Sequence, residues 1–286
     1  MGLNIYNRKS NKIESEKIYK SRGIDFYYKT TLGGLCRLFI RLPLISKIFG
    51  AFQKGKRSKG KIEDFIKKYD IGHCGQINNY KSFNDFFIRK QPSESIDKAA
   101  RHFISPAESC VLALTIVKDD FYKIKDKSYK LSRFLKDKAL AKEFDGGTCL
   151  IFRLRSYDYH RFCFVDNGAK KSVKRIRGVL DSINTGATGK FALSTNYRQT
   201  NCLKTENFGD IVVVEVGAML VGRIVQTHTK TEFFKGEEKG YFEFGGSTVV
   251  ILLKKDTIKI DDDITKYSLK NIETKVDKGE RIGVKI

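Results

Sequence analysis

Several features are missing from this sequence, and each absence argues against a class of protein. No window reaches about 18 uninterrupted apolar residues, so a membrane-spanning helix is not expected. The N-terminus lacks the apolar stretch of a secretory signal. The six cysteines form no CxxC pair and no Cys/His cluster with zinc spacing. We therefore expect free thiols in a reducing cytoplasm and no metal site.

The chain is strongly basic, with a formal net charge of +22 over 286 residues. Such a charge selects partners rather than a fold, and nucleic acid, an anionic membrane and an acidic substrate are the candidates. No aromatic RNA-binding signature, helix-turn-helix cue or zinc spacing is present, so no nucleic-acid partner is predicted. Hydrophobic residues make up 41%, which is enough for a sizeable core.

The N-terminal part is predicted to be mainly helical. Residues 1–30 are polar and aromatic, and they predict irregular backbone with short helices. From Thr31 to Gly60 no Asp or Glu occurs, and apolar residues recur at near-helical spacing with a break near Pro43. An apolar face flanked by Lys and Arg suits the surface of an anionic bilayer. The alternative is an ordinary helix pair that packs on the core.

From about Ile104 the composition becomes that of a β domain. Short runs rich in Val, Ile and Leu predict strands, namely CVLALTIV, TCLIFRLR, DIVVVEVG, MLVGRIVQT and STVVILLKK. The predicted fold class is α+β, with an N-terminal helical, membrane-facing region over residues 1–100. Residues 101–286 are predicted to form a mainly antiparallel β domain, either a sandwich or a partial barrel. The Lys-rich segments between strands are expected to be solvated loops.

One short segment, FGGST, has a backbone suited to unusual chemistry. Two glycines permit a sharp turn before a strand, because glycine adopts backbone angles that other residues avoid. The hydroxyl of Ser247 would then lie near the carbonyl of Gly246. Attack on that carbonyl would convert the amide into an ester. Taken alone, the triplet is more typical of an ordinary strand-entry turn.

Three further segments change that interpretation, because with FGGST they resemble phosphatidylserine decarboxylases, particularly the shorter bacterial type. The family has Pro-Ala-Asp-Gly before a strand, and this chain has Pro-Ala-Glu-Ser ending at Glu108 and Ser109. The family has Asp-Tyr-His-Arg followed by a second histidine. This chain keeps the four residues around His160 and has Cys163 where the second histidine belongs.

The remaining motifs of the family are matched more closely. Its Val-Gly-Ala segment followed by Val-Gly corresponds to Val216–Ala218 and Val221–Gly222, and its Gly-Ser-Thr corresponds to Gly246–Thr248. The segment SFNDFFIRK is similar to the family's N-terminal helical signature. The resemblance covers about residues 60–260.

The resemblance implies that the chain cuts itself between Gly246 and Ser247. A β-chain of residues 1–246 and an α-chain of residues 247–286 would stay associated, and Ser247 would become a covalent pyruvoyl cofactor. That pyruvoyl group would form a Schiff base with phosphatidylserine and accept the electrons released as CO₂ leaves, giving phosphatidylethanolamine. No metal or diffusible cofactor is implied.

The resemblance also suggests roles for two neighbours of that cofactor. His160 is expected to reprotonate the α-carbon and to contact the substrate carboxylate; the alternative is a structural histidine bonded to a backbone carbonyl. Thr248 is expected to orient or polarise the pyruvoyl group. The substrate would be met in an anionic membrane, by a peripheral protein on the cytoplasmic face of the cell membrane. The sequence leaves a homodimer open.

The replacements at Glu108 and Cys163 affect the step that matures the enzyme. In the family an Asp-His-Ser relay drives cleavage, and here only Ser247 is retained from it. An imidazole with a pKa of about 6.5 exchanges protons near neutrality, whereas a thiol with a pKa of about 8.5 is mostly protonated. Three outcomes stay open: Glu108 serves as the base, Cys163 ionises and substitutes for the histidine, or cleavage fails and leaves a lipid-binding homologue. His228 is a stand-in base or, alternatively, a strand-end residue.

Overall fold

The computed structural model describes residues 4–16, 26, 30–40, 42–71, 77–91, 95–124, 127–181, 193–218, 223–244 and 247–286. Four motif residues of the sequence analysis, Val221, Gly222, Gly245 and Gly246, lie outside these ranges. The N-terminal side of the predicted cleavage site is therefore not described.

Beyond residue 100 the described chain is built mainly from strands, as the Val-, Ile- and Leu-rich runs predicted. The strands are β1 (Asn4–Asn7), β2 (Lys12–Ser15), β3 (His102–Ile104), β4 (Ser109–Thr115), β5 (Asp120–Ile124), β6 (Lys127–Lys130), β7 (Thr148–Leu154), β8 (Arg161–Cys163), β9 (Gly168–Ile176), β10 (Arg198–Thr205), β11 (Gly209–Val216), β12 (Ile224–Gln226), β13 (Glu232–Phe233), β14 (Glu238–Phe242), β15 (Ser247–Leu253), β16 (Ile258–Ile260), β17 (Glu273–Val276) and β18 (Arg281–Lys285).

Of the α-helices described, four lie between residues 31 and 87, and three short ones lie among the strands that follow. They are α1 (Thr31–Ile40), α2 (Pro43–Lys54), α3 (Lys61–Tyr69), α4 (Phe83–Phe87), α5 (Leu131–Leu135), α6 (Lys138–Lys142) and α7 (Asp262–Ser268). The expected break falls between α1 and α2, where Pro43 takes a position at the start of α2 that does not need a backbone N–H. Within the described ranges, no helix combines the length and the apolar character needed to cross a bilayer.

Ten strands form one open sheet in the order β13-β9-β10-β11-β15-β7-β4-β17-β1-β2. The β1–β17 pair is parallel, and the other neighbours are antiparallel. The mainly antiparallel β domain of the sequence prediction is therefore confirmed, and among the described strands the sheet stays open. Two three-stranded sheets, β12-β14-β8 and β16-β18-β3, accompany it.

The central strand β15 is buried on both faces, which explains its continuous β-branched run. Val249 and Ile251 contribute to one core layer, which includes Phe162 and Phe242 from the small sheets and is called here the small-sheet layer. Val250 and Leu252 contribute to the opposite layer, called here the helix layer because α5 packs into it through Leu131, Phe134 and Leu135. Full burial of each such side chain stabilises the fold by about 1.5–3 kcal/mol.

Two parts of the chain differ from the sequence prediction. Residues 1–30 were predicted to be irregular with short helices, but β1 and β2 form a hairpin whose first strand pairs with β17. The Lys-rich segment around residues 131–142 was predicted to be a solvated loop, but it forms α5 and α6. Its buried Leu and Phe residues cover the sheet, and the lysines between them concealed that pattern.

Candidate active site

The segments singled out in the sequence meet at one end of the ten-stranded sheet. Since β15 runs antiparallel to β7 and β11, its start lies beside the ends of both neighbours. Ser247 pairs with Leu154 at the end of β7, and Thr248 pairs with Val216 at the end of β11. β4 is also antiparallel to β7 and therefore starts at the same end. Strand pairing thus gathers residues 105–109, 155–163, 216–218 and 247–248.

Ser247 carries a buried hydroxyl without a hydrogen bond. The residue is 0% exposed, and its Oγ has no hydrogen-bond partner within the described part of the chain. Because side chains alternate along a strand, the Ser247 hydroxyl faces the small-sheet layer together with Val249. Leaving such a group unsatisfied costs about 1–3 kcal/mol, which a purely structural residue avoids. The orphaned hydroxyl therefore marks Ser247 as a position for chemistry.

Thr248 is also buried but points the other way. The same alternation places its side chain with Val250, towards the helix layer. The hydroxyls of Ser247 and Thr248 thus lie on opposite faces of the sheet. The role of Thr248 in orienting a group made from Ser247 stays a prediction.

The loop after β7 is held by a buried ion pair. The Arg155 guanidinium donates to both carboxylate oxygens of Asp158 at 2.7–3.0 Å, and the Arg155 backbone N–H donates to the same carboxylate at 2.8 Å. Burial alone would lower the pKa of Arg155, but the Asp158 carboxylate raises it above its usual value. The pair fixes the turn from which the next two residues project.

His160 is 0% exposed and its ring is oriented by that turn. Its Nδ1 lies 2.8 Å from the backbone carbonyl oxygen of Asp158. A carbonyl oxygen only accepts, so Nδ1 carries a proton and Nε2 is the nitrogen that can gain or lose one. The bond to a carbonyl matches the structural alternative for His160, but it also sets the tautomer that an acid–base role requires.

Helix α4 forms a wall over His160. The Phe87 ring lies 4.0 Å from the imidazole, centroid to centroid, and 5.1 Å from the Phe244 ring. Asn84 accepts a hydrogen bond from the Phe244 backbone N–H at 3.2 Å. The helix begins at a Ser82 cap, whose hydroxyl accepts from the Asp85 N–H. The SFNDFF segment therefore anchors the residue that precedes the diglycine.

Arg89, two residues after the end of α4, joins this helix to the loop after β7. It is 5% exposed and donates to the carbonyl oxygens of Phe86 and Tyr157. Its guanidinium carbon lies 4.4 Å from the Phe86 ring and 4.5 Å from the Tyr159 ring. These contacts stabilise the loop through cation–π attraction as well as hydrogen bonds.

Glu108 contacts the backbone of the Asp-Tyr-His-Arg motif. Its Oε2 accepts a hydrogen bond from the Tyr159 N–H at 3.2 Å. Burial, reinforced by repulsion from the Asp158 carboxylate, raises the pKa of Glu108 to about 7. A carboxyl group with that pKa exchanges protons near neutrality.

Cys163 lies in the small-sheet layer and is 3% exposed. Its backbone N–H donates to the Pro106 carbonyl oxygen at 2.9 Å, and its Sγ lies 4.0 Å from the Ser105 carbonyl oxygen. A thiol directed at a carbonyl oxygen is oriented as a proton donor. The segments that contain Glu108 and Cys163 are therefore joined directly.

Some expected residues lie apart, and some contributors were missed. His228 is bound elsewhere, with Nε2 at 3.3 Å from Glu237 and its ring against Phe164. Its pKa is lowered, first by burial. Sequence reasoning did not single out Arg89 or Arg155, because a basic residue in so basic a chain carries no distinguishing signal.

Comparison with known proteins points to one family. A family model described as phosphatidylserine decarboxylase matches residues 83–284. A phosphatidylserine decarboxylase proenzyme 2 from Clostridium acetobutylicum is 44% identical over 288 residues, covering 99% of both chains. A phosphatidylserine decarboxylase proenzyme from Clostridium perfringens is 41% identical over 293 residues, covering 99% of this chain and 100% of the relative.

Proposed function

The chain belongs to the phosphatidylserine decarboxylase family, and from this premise we propose that it is a decarboxylase proenzyme that converts phosphatidylserine into phosphatidylethanolamine and CO₂. It cuts itself between Gly246 and Ser247, and the resulting β-chain (1–246) and α-chain (247–286) stay together. The single observation that carries the proposal is the buried Ser247 hydroxyl, which has no hydrogen-bond partner in the described part of the chain and lies at the sheet end where His160 and Glu108 also lie.

The residues around Ser247 fit a pyruvoyl group made from it. The Ser247 side chain is enclosed by the small-sheet layer, and among the described residues its oxygen has no hydrogen bond that the conversion would break. Such a group supplies an electrophilic carbonyl that accepts an electron pair as CO₂ leaves. The surrounding burial keeps bulk water from the reacting atoms.

His160 supplies the proton that replaces CO₂ on the substrate's α-carbon. Its Nδ1 proton is held by the Asp158 carbonyl, so Nε2 is the atom that delivers this proton. The Arg155–Asp158 ion pair and the Phe87 ring restrict the imidazole from two sides. These two neighbours orient the imidazole and so fix the direction of Nε2.

Glu108 is the residue best suited to accept the Ser247 proton during cleavage. At neutral pH about half of a group with a pKa near 7 is ionised, and the ionised carboxylate is a base. The Cys163 thiol, oriented towards a carbonyl oxygen, is the less suitable base. The alternative function, a non-cleaving lipid-binding homologue, is supported only by the replacements at Glu108 and Cys163.

The N-terminal helices provide a surface for the lipid. On α1, on α2 and at Leu42 between them, six large apolar side chains are 45–67% exposed, namely Leu32, Leu35, Phe39, Leu42, Ile48 and Phe52. Lys56, Arg57 and Lys61 follow them and are exposed, and the Lys61 ammonium lies 5.4 Å from the Phe52 ring centroid. An apolar patch of this kind with a cationic border suits an anionic bilayer at its cytoplasmic face.

Helix α2 also connects this surface to the candidate site. The Lys54 ammonium pairs with Glu243 at 2.8 Å, and the Phe49 ring lies 5.9 Å from the Phe244 ring. Glu243 and Phe244 precede the diglycine. A bilayer against α1 and α2 would therefore bring lipid headgroups near Ser247.

The membrane proposal is tested by vesicle sedimentation. The double variant Phe39→Ser/Ile48→Ser is expected to lower binding to phosphatidylserine-containing vesicles at least about tenfold, since each exposed apolar side chain contributes to insertion. Phe234→Ser is the matched control, because Phe234 is 66% exposed on the β domain. Equal loss in both variants would contradict the proposal.

Mass spectrometry of the purified protein tests the proposed function itself. Two fragments that meet between Gly246 and Ser247 are expected, and the smaller one should carry a pyruvoyl group at its N-terminus. Ser247→Ala should stay intact. Incubation with phosphatidylserine vesicles should then yield phosphatidylethanolamine, whereas free serine should not react. An uncut wild-type chain with an ordinary serine at position 247 would exclude this function.

A further inference from the structure

Two strands of the predicted α-chain are inserted between strands of the β-chain. β15 lies between β11 and β7, and β17 lies between β4 and β1. After cleavage the two chains have no covalent link, so their association depends on such contacts alone. β17 would have one neighbour instead of two if β1 were absent, and an open strand edge is readily lost or mispaired.

The N-terminal hairpin, residues 4–15, makes contacts that converge on the α-chain. β1 runs parallel to β17, with Ile5 opposite Glu273 and Asn7 opposite Lys275. The Tyr6 ring stacks on the Tyr267 ring at 4.0 Å between centroids. Both Ile5 and Tyr6 are buried by this pairing.

Arg8, in the turn of the hairpin, binds three carboxylates of the α-chain at once. Its guanidinium nitrogens lie 2.8 Å from Asp261, 2.8 Å from Asp263 and 2.7 Å from Glu280. It also donates to the Arg281 carbonyl oxygen at 2.9 Å. The Arg8 side chain is 18% exposed, so solvent screens these ion pairs only in part.

Three further ion pairs strengthen the same junction. The Lys9 ammonium lies 2.5 Å from Asp277 of the α-chain. Just after the hairpin, Glu16 binds Arg153 at 2.8 Å, and Arg153 in turn binds Glu273. The junction therefore combines backbone pairing, aromatic stacking and charge.

We propose that the N-terminal hairpin is a clasp that retains the α-chain after self-cleavage, with Arg8 as its central contact. The proposal rests on the proposed function for the existence of two chains. Without Arg8 the carboxylates of Asp261, Asp263 and Glu280 would repel one another and the β1–β17 pairing would be weakened. An intact precursor tolerates that loss through its covalent link, whereas the cleaved protein does not.

The test uses the full chain with an affinity tag after Ile286, so that the α-chain is immobilised. Mass spectrometry first establishes the cleaved fraction, and release of the β-chain in dilute urea is then followed over time. Arg8→Met should be cleaved normally but should release the β-chain at least about tenfold faster than wild type. Lys171→Met is the control, because Lys171 pairs with Asp210 inside the β-chain. Equal release by Arg8→Met and Lys171→Met would overturn the proposal.

A second measurement is independent of cleavage. In the uncut Ser247→Ala chain, Arg8→Met should raise hydrogen exchange at the backbone amides of Glu273–Val276 at least about tenfold, with no such change for Lys171→Met. Unchanged exchange would overturn the clasp. If wild type is never cut, the proposed function fails and no separate α-chain exists to be retained, whereas faster exchange in Arg8→Met would still show that Arg8 holds β17 against β1. If Arg8→Met does not fold, Arg8→Lys replaces it. Lysine keeps the positive charge but cannot bind three carboxylates at once as the guanidinium does, so the same change is expected to a smaller degree.

Discussion

The Lys239 ammonium lies 2.7 Å from the Glu215 carboxylate, and both side chains are almost completely buried. Gln226 and Asn201 complete the hydrogen bonding, with Lys239 donating to Gln226 and Asn201 donating to Glu215, both at 2.7 Å. The pair joins β14 of a small sheet to β11 of the main sheet. It thereby connects the strand that leads towards the diglycine with the strand that ends beside Thr248.

Breaking this ion pair should destabilise the protein strongly. Lys239→Met leaves a buried carboxylate without its cation, and the free energy of unfolding should fall by about 3–5 kcal/mol. Denaturant unfolding in the uncleaved Ser247→Ala background measures this loss. The double variant Lys239→Met/Glu215→Leu should recover much of it, because neither charge is then buried. A Lys239→Met chain within about 1 kcal/mol of its parent would contradict the prediction.

Replacing His160 should separate maturation from catalysis. His160→Gln removes the proton donor, so decarboxylation of phosphatidylserine should fall by about 10²–10⁴-fold, while the cleaved fraction stays unchanged. His102→Gln is the control, because the His102 side chain is about a third exposed and pairs with Asp97 at 2.7 Å. Loss of cleavage in His160→Gln would show that His160 also acts in maturation.

Glu108 should make stability depend on pH. Its pKa is about 7 in the folded protein against an ordinary value of 4.5, so the protonated form is favoured on folding. Its stabilising contribution is therefore complete below pH 4.5 and is lost as the pH rises through about 7. The free energy of unfolding of the Ser247→Ala chain should therefore decrease as the pH rises across this range. Adding Glu108→Gln should make this decrease less steep. The same pH dependence with and without Glu108→Gln would contradict a raised pKa of Glu108.

Cleavage should respond to a restored relay. Cys163→His places an imidazole where the sequence resemblance predicts one, so self-cleavage should be faster, most clearly together with Glu108→Asp. Gel electrophoresis of timed samples measures the rate. Cys163 is 3% exposed, and the larger ring can cost about 1–3 kcal/mol, so the melting temperature is measured alongside. Cys163→Ala serves as the control for loss of the thiol. Slower cleavage in a folded Cys163→His chain would mean that another base operates.

Features that depend on residues close together in the sequence could be predicted from the sequence alone. The runs that became β4, β7, β11 and β15 were recognisable because buried strands need continuous β-branched and aliphatic side chains. The break at Pro43 was predictable because proline lacks a backbone N–H. The motifs around Glu108, His160 and Ser247 identified the family for the same reason, since each is a short local pattern.

Only the tertiary structure decided which of these residues meet. Ser247 opposite Leu154, Arg8 between three α-chain carboxylates, and Lys239 beside Glu215 are pairings between distant parts of the chain. A strand's own sequence does not specify its neighbour, because backbone hydrogen bonds are alike for every residue and the choice depends on how whole layers pack. The N-terminal hairpin was missed on this account, since β1 becomes a strand of the main sheet only through β17, more than 250 positions later.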